Sequence, residues 1–435
     1  MSVLERILEQ ETAVEEEHNT ALFREKMKQD LIDRLGLEAI SSMVAESARG
    51  RQELEVACQA ILNQRGYESL SVSHGQEVVA QVLDEIVGLG PLQPLLDDDT
   101  VTEVMVNGCE QLFYERAGEI HATERVFESE DQILLVIDRI LAPLGRRLDR
   151  SSPIVNARLA NGDRVNAVAQ PIAIDGPVIT IRKFSNRITT LQELVERGSL
   201  PRWYAQLLSW AVLLRKDIAV AGGTGSGKTT LLNALSCEIG LSERIITIED
   251  SAELKFNTHP DVVRLEARDA SIEGTGEVTI RDLVKNALRM RPDRIVVGEC
   301  RGEETIDMLQ AMNTGHDGSL TTLHAGTAEE AVLRLVLMSR FGMDLPTEII
   351  EEQIASALDF IVLSRRMGDG SRFITSMSAV GRKQGGGICL DECVSFDQTR
   401  RTWSLCHEPK FVEQAVEDGV LTLEEVELWR QSISS

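Results

Sequence analysis

The segment Gly222-Gly223-Thr224-Gly225-Ser226-Gly227-Lys228-Thr229 fills every fixed position of the phosphate-loop pattern G-x-x-x-x-G-K-[ST]. Residues 217–221, before it, are mostly apolar and predict a short buried strand, and residues 228–239, after it, predict a helix. Glycines let successive backbone N–H groups turn toward phosphate oxygens, and the positive end of the following helix adds to that field. The alternative, an ordinary glycine-rich turn, leaves the Lys-Thr pair and both flanking elements unexplained. The segment therefore predicts a nucleotide-binding α/β domain.

The loop's side chains have separate expected roles. Lys228 is predicted to reach the β- and γ-phosphates, and the Thr229 hydroxyl is predicted to be a ligand of Mg²⁺. The loop residues expected to contact nucleotide are Gly222, Gly223, Thr224, Gly225, Ser226, Gly227, Lys228, Thr229 and Thr230. ATP and Mg²⁺ are the expected substrate and cofactor.

Three further apolar segments each run into polar residues. Residues 244–248 lead to Glu249-Asp250, residues 293–297 lead to Gly298-Glu299, and residues 319–323 lead to His324. In an open parallel sheet, ligands bind beyond the carboxyl ends of the strands, so these side chains are expected to converge on the phosphates.

Nucleotide hydrolysis requires an oriented water, a held metal and positive charge for the transition state. Glu299 suits polarising the water or holding Mg²⁺ through a bound water, and Glu249 and Asp250 suit the same tasks from the neighbouring strand. A single acidic residue at a strand end is more simply interpreted as a helix cap or a salt-bridge partner. Acidic residues at the ends of two strands after a phosphate loop favour a role in nucleotide hydrolysis. His324 is either a γ-phosphate sensor or a histidine with an ordinary hydrogen bond.

Composition limits the class of protein. The chain has 435 residues, a net charge of −25 and only 4% aromatic residues, which argues against attraction to nucleic acid and against aromatic stacking platforms. No transmembrane segment or secretion signal is predicted, so we expect a cytoplasmic protein. The seven cysteines are expected to be reduced thiols, although Cys389, Cys393, Cys406 and His407 are an alternative zinc set with loose spacing.

Changes in periodicity predict several parts. These are an N-terminal helical region at 1–75, a small α/β domain at 76–184, a linker at 185–200, the nucleotide-binding domain at 201–380 and a C-terminal extension at 381–435. Within the α/β domain, Asn161-Gly162 predicts a tight hairpin turn. The acidic face of the N-terminal helices is interpreted as solvated, and a docking role for them remains a hypothesis.

Residues 283–299, ending in Asp293-Arg294-Ile295-Val296-Val297-Gly298-Glu299, and residues 307–319 closely resemble the secretion ATPase superfamily of type II and type IV secretion and type IV pili. Residues 101–108, Val-Thr-Glu-Val-Met-Val-Asn-Gly, make the chain most similar to the CpaF branch, the ATPases of tight-adherence (Flp) pilus assembly. The resemblance extends over about residues 89–380.

The resemblance implies roles for particular residues. The loop at 222–229 is similar to the Walker A motif, Glu249-Asp250 to the Asp box, Gly298-Glu299 to an atypical Walker B motif, and residues 322–325 to the His box. Arg164 and Arg182 resemble the N-terminal-domain arginines that reach the γ-phosphate, and Arg264 and Arg268 match further positions near the nucleotide. Spacing alone does not select the arginine. The chain departs from the family after Glu299, where Cys300-Arg301-Gly302-Glu303 follows, and after Ala325, where Gly326-Thr327 follows.

The resemblance also implies a RecA-like motor domain preceded by a PAS-like α/β domain, assembled as a hexamer. The expected function is an ATP-hydrolysing motor for pilus assembly or secretion, recruited to the inner membrane by a platform protein, with no direct nucleic-acid partner. Two alternatives are a RecA-like nucleic-acid translocase and a non-hydrolysing nucleotide-binding scaffold.

Overall fold

The computed structural model describes residues 20, 22–45, 48–64, 66–68, 70–159, 161–184, 189–256, 259–268, 270 and 275–433. Contacts divide the chain into two compact units, Met1–Asn186 and Arg187–Ser435. Among the described residues, no helix combines the length and apolar character needed to span a membrane. The two units are considered separately.

The first unit begins with four helices that enclose a small core. They are α1 at 22–35, α2 at Leu37–Ala45, α3 at Ala48–Leu62 and α4 at Val72–Ile86. Met27, Leu31, Leu54 and Val78 are completely buried among them, as helical periodicity predicts. The predicted division after residue 75 lies within α4, which packs on this core. The first 19 residues of the predicted helical region lie outside the described residues.

The rest of the first unit is an antiparallel sheet covered by a helix. Its elements are α5 (Gln93–Asp97), β1 (Val101–Asn107), β2 (Leu112–Arg116), β3 (Glu119–Ala122), α6 (Glu130–Leu141), β4 (Ile154–Arg158), β5 (Arg164–Val168) and β6 (Val178–Arg182). The strand order is β3-β2-β1-β6-β5-β4. The apolar face of α6 packs on the sheet, and the predicted Asn161-Gly162 turn joins β4 to β5, with Gly162 at φ +98°. The sequence prediction missed the short, exposed strand β3.

The second unit contains a larger sheet between layers of helices. Its strands are β7 (Ile218–Gly222), β8 (Ile245–Glu249), β9 (Val262–Glu266), β10 (Arg294–Val297), β11 (Leu320–Leu323), β12 (Phe360–Arg366), β13 (Arg372–Arg382), β14 (Ile388–Asp397) and β15 (Thr402–Leu405). Its helices are α7 (Leu191–Glu196), α8 (Arg202–Leu213), α9 (Lys228–Ser236), α10 (Ile280–Ala287), α11 (Glu304–Asn313), α12 (Ala328–Gly342), α13 (Thr347–Ala357), α14 (Lys410–Glu417) and α15 (Leu423–Ile433).

The strand order places the phosphate loop centrally. In the order β15-β14-β13-β12-β7-β11-β10-β8-β9, the strands from β12 to β9 are parallel and the remaining three are antiparallel. Every residue of β7, β8, β10 and β11 is buried because helices cover both faces, and this explains their continuous apolar runs. The carboxyl ends of these strands therefore meet at one edge.

Residues after 380 continue the same sheet. The predicted division after residue 380 lies within β13, and β14 pairs with β13 across a turn in which Gly385, Gly386 and Gly387 all have positive φ. Helix α15 packs Trp429 against Trp210, with ring centroids 5.4 Å apart, and its indole N–H donates to Trp203 O at 2.8 Å. The C-terminal segment thus shares the core of the second unit.

Candidate nucleotide-binding site

The phosphate loop joins β7 to α9, as the sequence predicts. Gly225 and Gly227 have φ of +68° and +96°, a left-handed backbone that other residues adopt with strain. At Gly222 a Cβ atom would lie 2.3 Å from Ser364 O, so the close approach of β12 also requires glycine there. Helix α9 begins directly after the loop at Lys228, so its unpaired N-terminal N–H groups are at the loop.

Lys228 is enclosed by the loop. Its side chain is buried, and Nζ donates to Gly223 O at 3.1 Å. Burial lowers the pKa of Lys228, and the negative charge of Glu299 opposes this shift. Thr229 and Thr230 follow in the first turn of α9. The ammonium group therefore lies in the electrostatic field of the predicted catalytic glutamate.

Glu249 is the last residue of β8, which pairs with β10. It is only 3% exposed, and Oε1 accepts N–H bonds from Glu253 at 2.8 Å and Leu254 at 3.0 Å. Its Oε2 is buried and has no hydrogen-bond partner. Burial raises the pKa of Glu249 to about 7, against the two N–H bonds and the charge of Arg264, which lower it. This carboxyl group therefore changes charge near neutral pH.

Glu299 and His324 are brought together from the ends of β10 and β11. His324 Nε2 lies 2.9 Å from Glu299 Oε1, yet this oxygen has no hydrogen-bond partner. The two atoms are within ion-pair distance, but the contact does not have the geometry of a hydrogen bond. Burial and the charge of Lys228 lower the pKa of His324, and Glu299 opposes them. Oε1 of Glu299 is thus a buried acceptor that remains available.

Arg301 connects the acidic residues of the two strand ends. Its Nε donates to Glu299 Oε2 at 2.8 Å, and its Nη1 lies 3.3 Å from Asp250 Oδ2. Sequence reasoning named Asp250 as a metal ligand, and the structure places it in this exposed ion pair. From the sequence, Arg301 was one of several downstream arginines that could supply the transition-state cation and was part of a departure from the family, and its position two residues after Glu299 was the signal that could have singled it out.

The donor set fits Mg²⁺. Glu249 Oε2 and Glu299 Oε1 are buried carboxylate oxygens that accept no hydrogen bond, although His324 Nε2 lies 2.9 Å from the latter, and Thr229 supplies a hydroxyl in the first turn of α9. Carboxylates, hydroxyls and water are the ligands that Mg²⁺ prefers, and it commonly retains several waters. Thr229 therefore suits direct binding, and the acids suit contact through bound water.

The predicted arginines occupy different places. Arg164 and Arg182 lie directly opposite each other on β5 and β6 of the first unit. In the second unit, Arg264 donates to Ala252 O at 3.3 Å, and Arg268 donates to Gly276 O at 2.6 Å. The structure thus pairs the two first-unit arginines, and their proposed role at the γ-phosphate remains a prediction.

The alternative zinc set is not assembled. Cys393 Sγ lies 3.6 Å from His407 Nε2, but Cys406 Sγ contacts Ser395 Oγ and Cys389 Sγ contacts Asp391. Across the described ranges, no group of three His, Cys, Asp or Glu side chains is placed to hold a metal ion.

Two further residues contact the loop and were missed by the sequence analysis. Ser364 on β12 bonds Ser226 O, and Arg372 on β13 bonds Gly225 O. The apolar run at 360–363 was a usable signal for β12, but only the sheet order places that strand beside β7.

Comparison with known proteins gives a consistent result. The profile of the family described as Type II/IV secretion system protein matches residues 85–417. The type IV secretion system protein VirB11 of Brucella abortus is 36% identical over 351 residues, which are 74% of this chain and 92% of that protein. A Mycobacterium tuberculosis protein named for conjugal transfer is 36% identical over 307 residues, 69% of this chain and 87% of that protein.

A solved structure supports the fold. The crystal structure of the pilus retraction motor PilT with bound ADP superposes with a TM-score of 0.50 and 22% identity, covering 79% of this chain and 90% of that one. The fold class is therefore the predicted one, a RecA-like phosphate-loop domain preceded by a PAS-like α/β domain and a helical unit. With the profile match and the two relatives aligned over most of their length, the chain belongs to the type II/IV secretion system protein family.

Proposed function

We propose that this chain is an ATP-hydrolysing motor of a type II/IV secretion or pilus machine. The observation that carries the proposal is the arrangement beside the phosphate loop. Glu249 and Glu299 end two neighbouring parallel strands, and each keeps a buried oxygen without a hydrogen-bond partner. Leaving such oxygens unpaired costs about 1–3 kcal/mol each or more, which is tolerated where a ligand or reaction requires them.

The loop is proposed to bind the phosphates of ATP. Backbone N–H groups at the start of α9 face the β- and γ-phosphates, and Lys228 leaves Gly223 O to neutralise them. Thr229 would hold Mg²⁺, which would neutralise charge on the phosphate oxygens. These contacts fix the γ-phosphate for in-line attack.

Glu299 is proposed to orient the attacking water. Its Oε1 is the available acceptor, and Arg301 holds Oε2, so the carboxylate presents one oxygen in a fixed direction. His324, beside Oε1, is suited to contact the γ-phosphate or the water. Glu249 is proposed to assist from β8, and Asp250 to hold the metal through water.

The positive charge for the transition state is proposed to come from Arg164 or Arg182 of a facing first unit. Closing of that unit on ATP and its release after hydrolysis would convert turnover into displacement. Support comes from the resemblance at Arg164 and Arg182 and from their shared register position on the sheet.

The assembly and the load are also proposed. We infer a homohexamer in the cytoplasm that acts on an inner-membrane platform protein, and the match at residues 101–108 favours Flp pilus assembly of the CpaF type. The net charge of −25 supports a protein load over nucleic acid.

The test combines molecular mass with turnover on the same sample. Purified protein is examined by light scattering with and without a slowly hydrolysed ATP analogue, and phosphate release from ATP is measured in parallel. A hexamer stabilised by nucleotide, with turnover in the absence of DNA or RNA, is expected. Lys228→Ala should lose nucleotide binding and turnover together, because it removes the charge that contacts the phosphates.

The matched control for Lys228 is Lys410→Ala, which replaces an exposed lysine at the start of α14. That variant should bind and hydrolyse ATP as the wild type does. Two results would contradict the proposal. Turnover that occurs only with nucleic acid would support the translocase, and nucleotide binding without any turnover would support the scaffold.

A further inference from the structure

The strand β12 makes one side-chain hydrogen bond to the phosphate loop. Ser364 is the residue directly opposite Gly222 in the parallel pair of β12 and β7. Its hydroxyl donates to Ser226 O at 2.6 Å, and the side chain is only 3% exposed. This bond is therefore buried, where solvent does not compete for either atom.

The next strand adds a second contact. Arg372, at the start of β13, donates from Nε to Gly225 O at 2.8 Å, and its Cδ lies 3.5 Å from the position of a Cβ on Gly227. Two consecutive carbonyl groups of the loop are therefore held from the same hairpin.

A β-bulge in β13 brings Arg372 to the same face of the sheet as Ser364. The pairing of β12 with β13 shifts by one residue between Leu363 and Ser364, so that Ser364 lies opposite Ile374 and Arg366 opposite Arg372. A shift of one residue exchanges the two faces of a strand. With the bulge, Arg372 shares a face with Ser364; bulges near functional sites commonly redirect a side chain in this way.

We propose that Ser364 and Arg372 are positioning residues for nucleotide binding, because they fix the peptide groups of the phosphate loop. This inference rests on the proposed function of the same loop. Across a trans peptide, the C=O and the following N–H point in opposite directions. Holding Ser226 O toward β12 therefore turns Gly227 N–H away from β12, as a donor at the start of α9.

The expected effect is on affinity more than on turnover. The loop binds the same phosphates before and during the reaction, so loosening it weakens ground state and transition state alike. Loss of one buried hydrogen bond should weaken binding about fivefold. The KM for ATP should rise by a similar factor while kcat changes less than about twofold.

The experiment measures ADP binding by calorimetry and ATP turnover for Ser364→Ala, Arg372→Ala and Arg372→Lys. The controls are Ser376→Ala, a buried serine on β13, and Arg365→Ala, an exposed arginine on β12. Both Ser364→Ala and Arg372→Ala should weaken ADP binding, and the controls should not. The Arg372→Lys variant should also bind ADP weakly, because lysine keeps the positive charge but lacks the planar Nε donor of arginine.

Several outcomes would overturn the inference. These are unchanged ADP affinity in both alanine variants, an equal loss in the controls, or full recovery by Arg372→Lys, which would indicate a contact of charge with the nucleotide. If Ser364→Ala does not fold, the exposed Arg372 gives the same test. Wild-type protein that binds ADP without hydrolysing ATP contradicts the motor alone, whereas wild-type protein that binds no ADP contradicts both.

Discussion

The two sides of the phosphate loop differ in how their polar groups are satisfied. On the β12 side, the carbonyls of Gly225 and Ser226 both accept bonds, from Arg372 and Ser364. On the acidic side, Glu249 and Glu299 each keep one buried oxygen that accepts no hydrogen bond, and His324 lies beside that of Glu299. Carbonyl groups that accept hydrogen bonds fix the conformation of the loop. A buried oxygen that accepts none raises the free energy of the folded protein, and such groups persist where function requires them. The comparison separates the residues that position the loop from those proposed to act in the reaction.

The largest effect is expected at Glu299. Glu299→Gln keeps the size of the side chain and removes the charged acceptor, so ATP turnover should fall by about 100-fold or more. ADP affinity should remain close to that of the wild type. Phosphate release under single-turnover conditions measures the loss, with Glu348→Gln on the exposed face of α13 as control. Unchanged turnover would show that Glu299 does not orient the attacking water. The proposed division between residues that position the loop and residues that act in the reaction would then be wrong.

Glu249 should make stability depend on pH. Its pKa is raised to about 7 in the folded protein, above the ordinary value of 4.5, so the folded state binds more protons between these values. Stability should then fall as pH rises from 4.5 to 7, by about 3 kcal/mol in all.

Glu249→Gln should remove this pH dependence. The amide oxygen can still accept the N–H bonds of Glu253 and Leu254, but the group no longer ionises. Denaturant unfolding of the variant and the wild type, at pH values below, within and above the interval between the two pKa values, measures the difference. Parallel pH profiles for the two proteins would mean that Glu249 is not held in a buried, protonatable state.

Arg301 is expected to have a smaller effect on the acidic side. Arg301→Gln removes the guanidinium group that donates to Glu299 Oε2, so the carboxylate is held less firmly and kcat for ATP turnover should fall. The loss should stay below about fivefold, because the Arg301 side chain is 61% exposed and exposed ion pairs contribute little.

Salt dependence checks this explanation. The loss of kcat caused by Arg301→Gln should be smaller at high ionic strength, where the ion pair of the wild type is screened, and Arg340→Gln, which replaces an exposed arginine on α12, should leave kcat unchanged. A kcat equal to that of the wild type at low ionic strength would contradict the proposed contact.

The smallest effect is expected at the far end of the β12 side. Arg401, before β15, pairs with Asp369 in the turn that precedes Arg372, and both side chains are about half exposed. Asp369→Asn keeps the acceptor for Ser371 N–H and removes the ion pair. ADP affinity should weaken by no more than about threefold, since exposed ion pairs contribute little. A loss as large as that of Arg372→Ala would show that the turn, and not the Arg372 bond, controls the loop.

Prediction from the sequence was best where a local pattern has one structural solution. The strand before the loop, the loop, α9 and the strands ending at Glu249, Glu299 and His324 all followed from short segments. β9, β12 and β13 were missed as strands, although residues 360–363 are continuously apolar. Arg301 was visible as a residue, but its contacts with Glu299 and Asp250 depend on how two strand ends meet.

By itself, the sequence determined the phosphate loop and the acids after the strands, because glycine spacing and apolar runs act over a few neighbouring residues. Only the tertiary structure decided which side chains hold the loop. Ser364 and Arg372 are 138 and 147 residues from the loop atoms that they bond. Strand order and a one-residue bulge bring them there, and both result from packing of the whole sheet, which no short segment encodes.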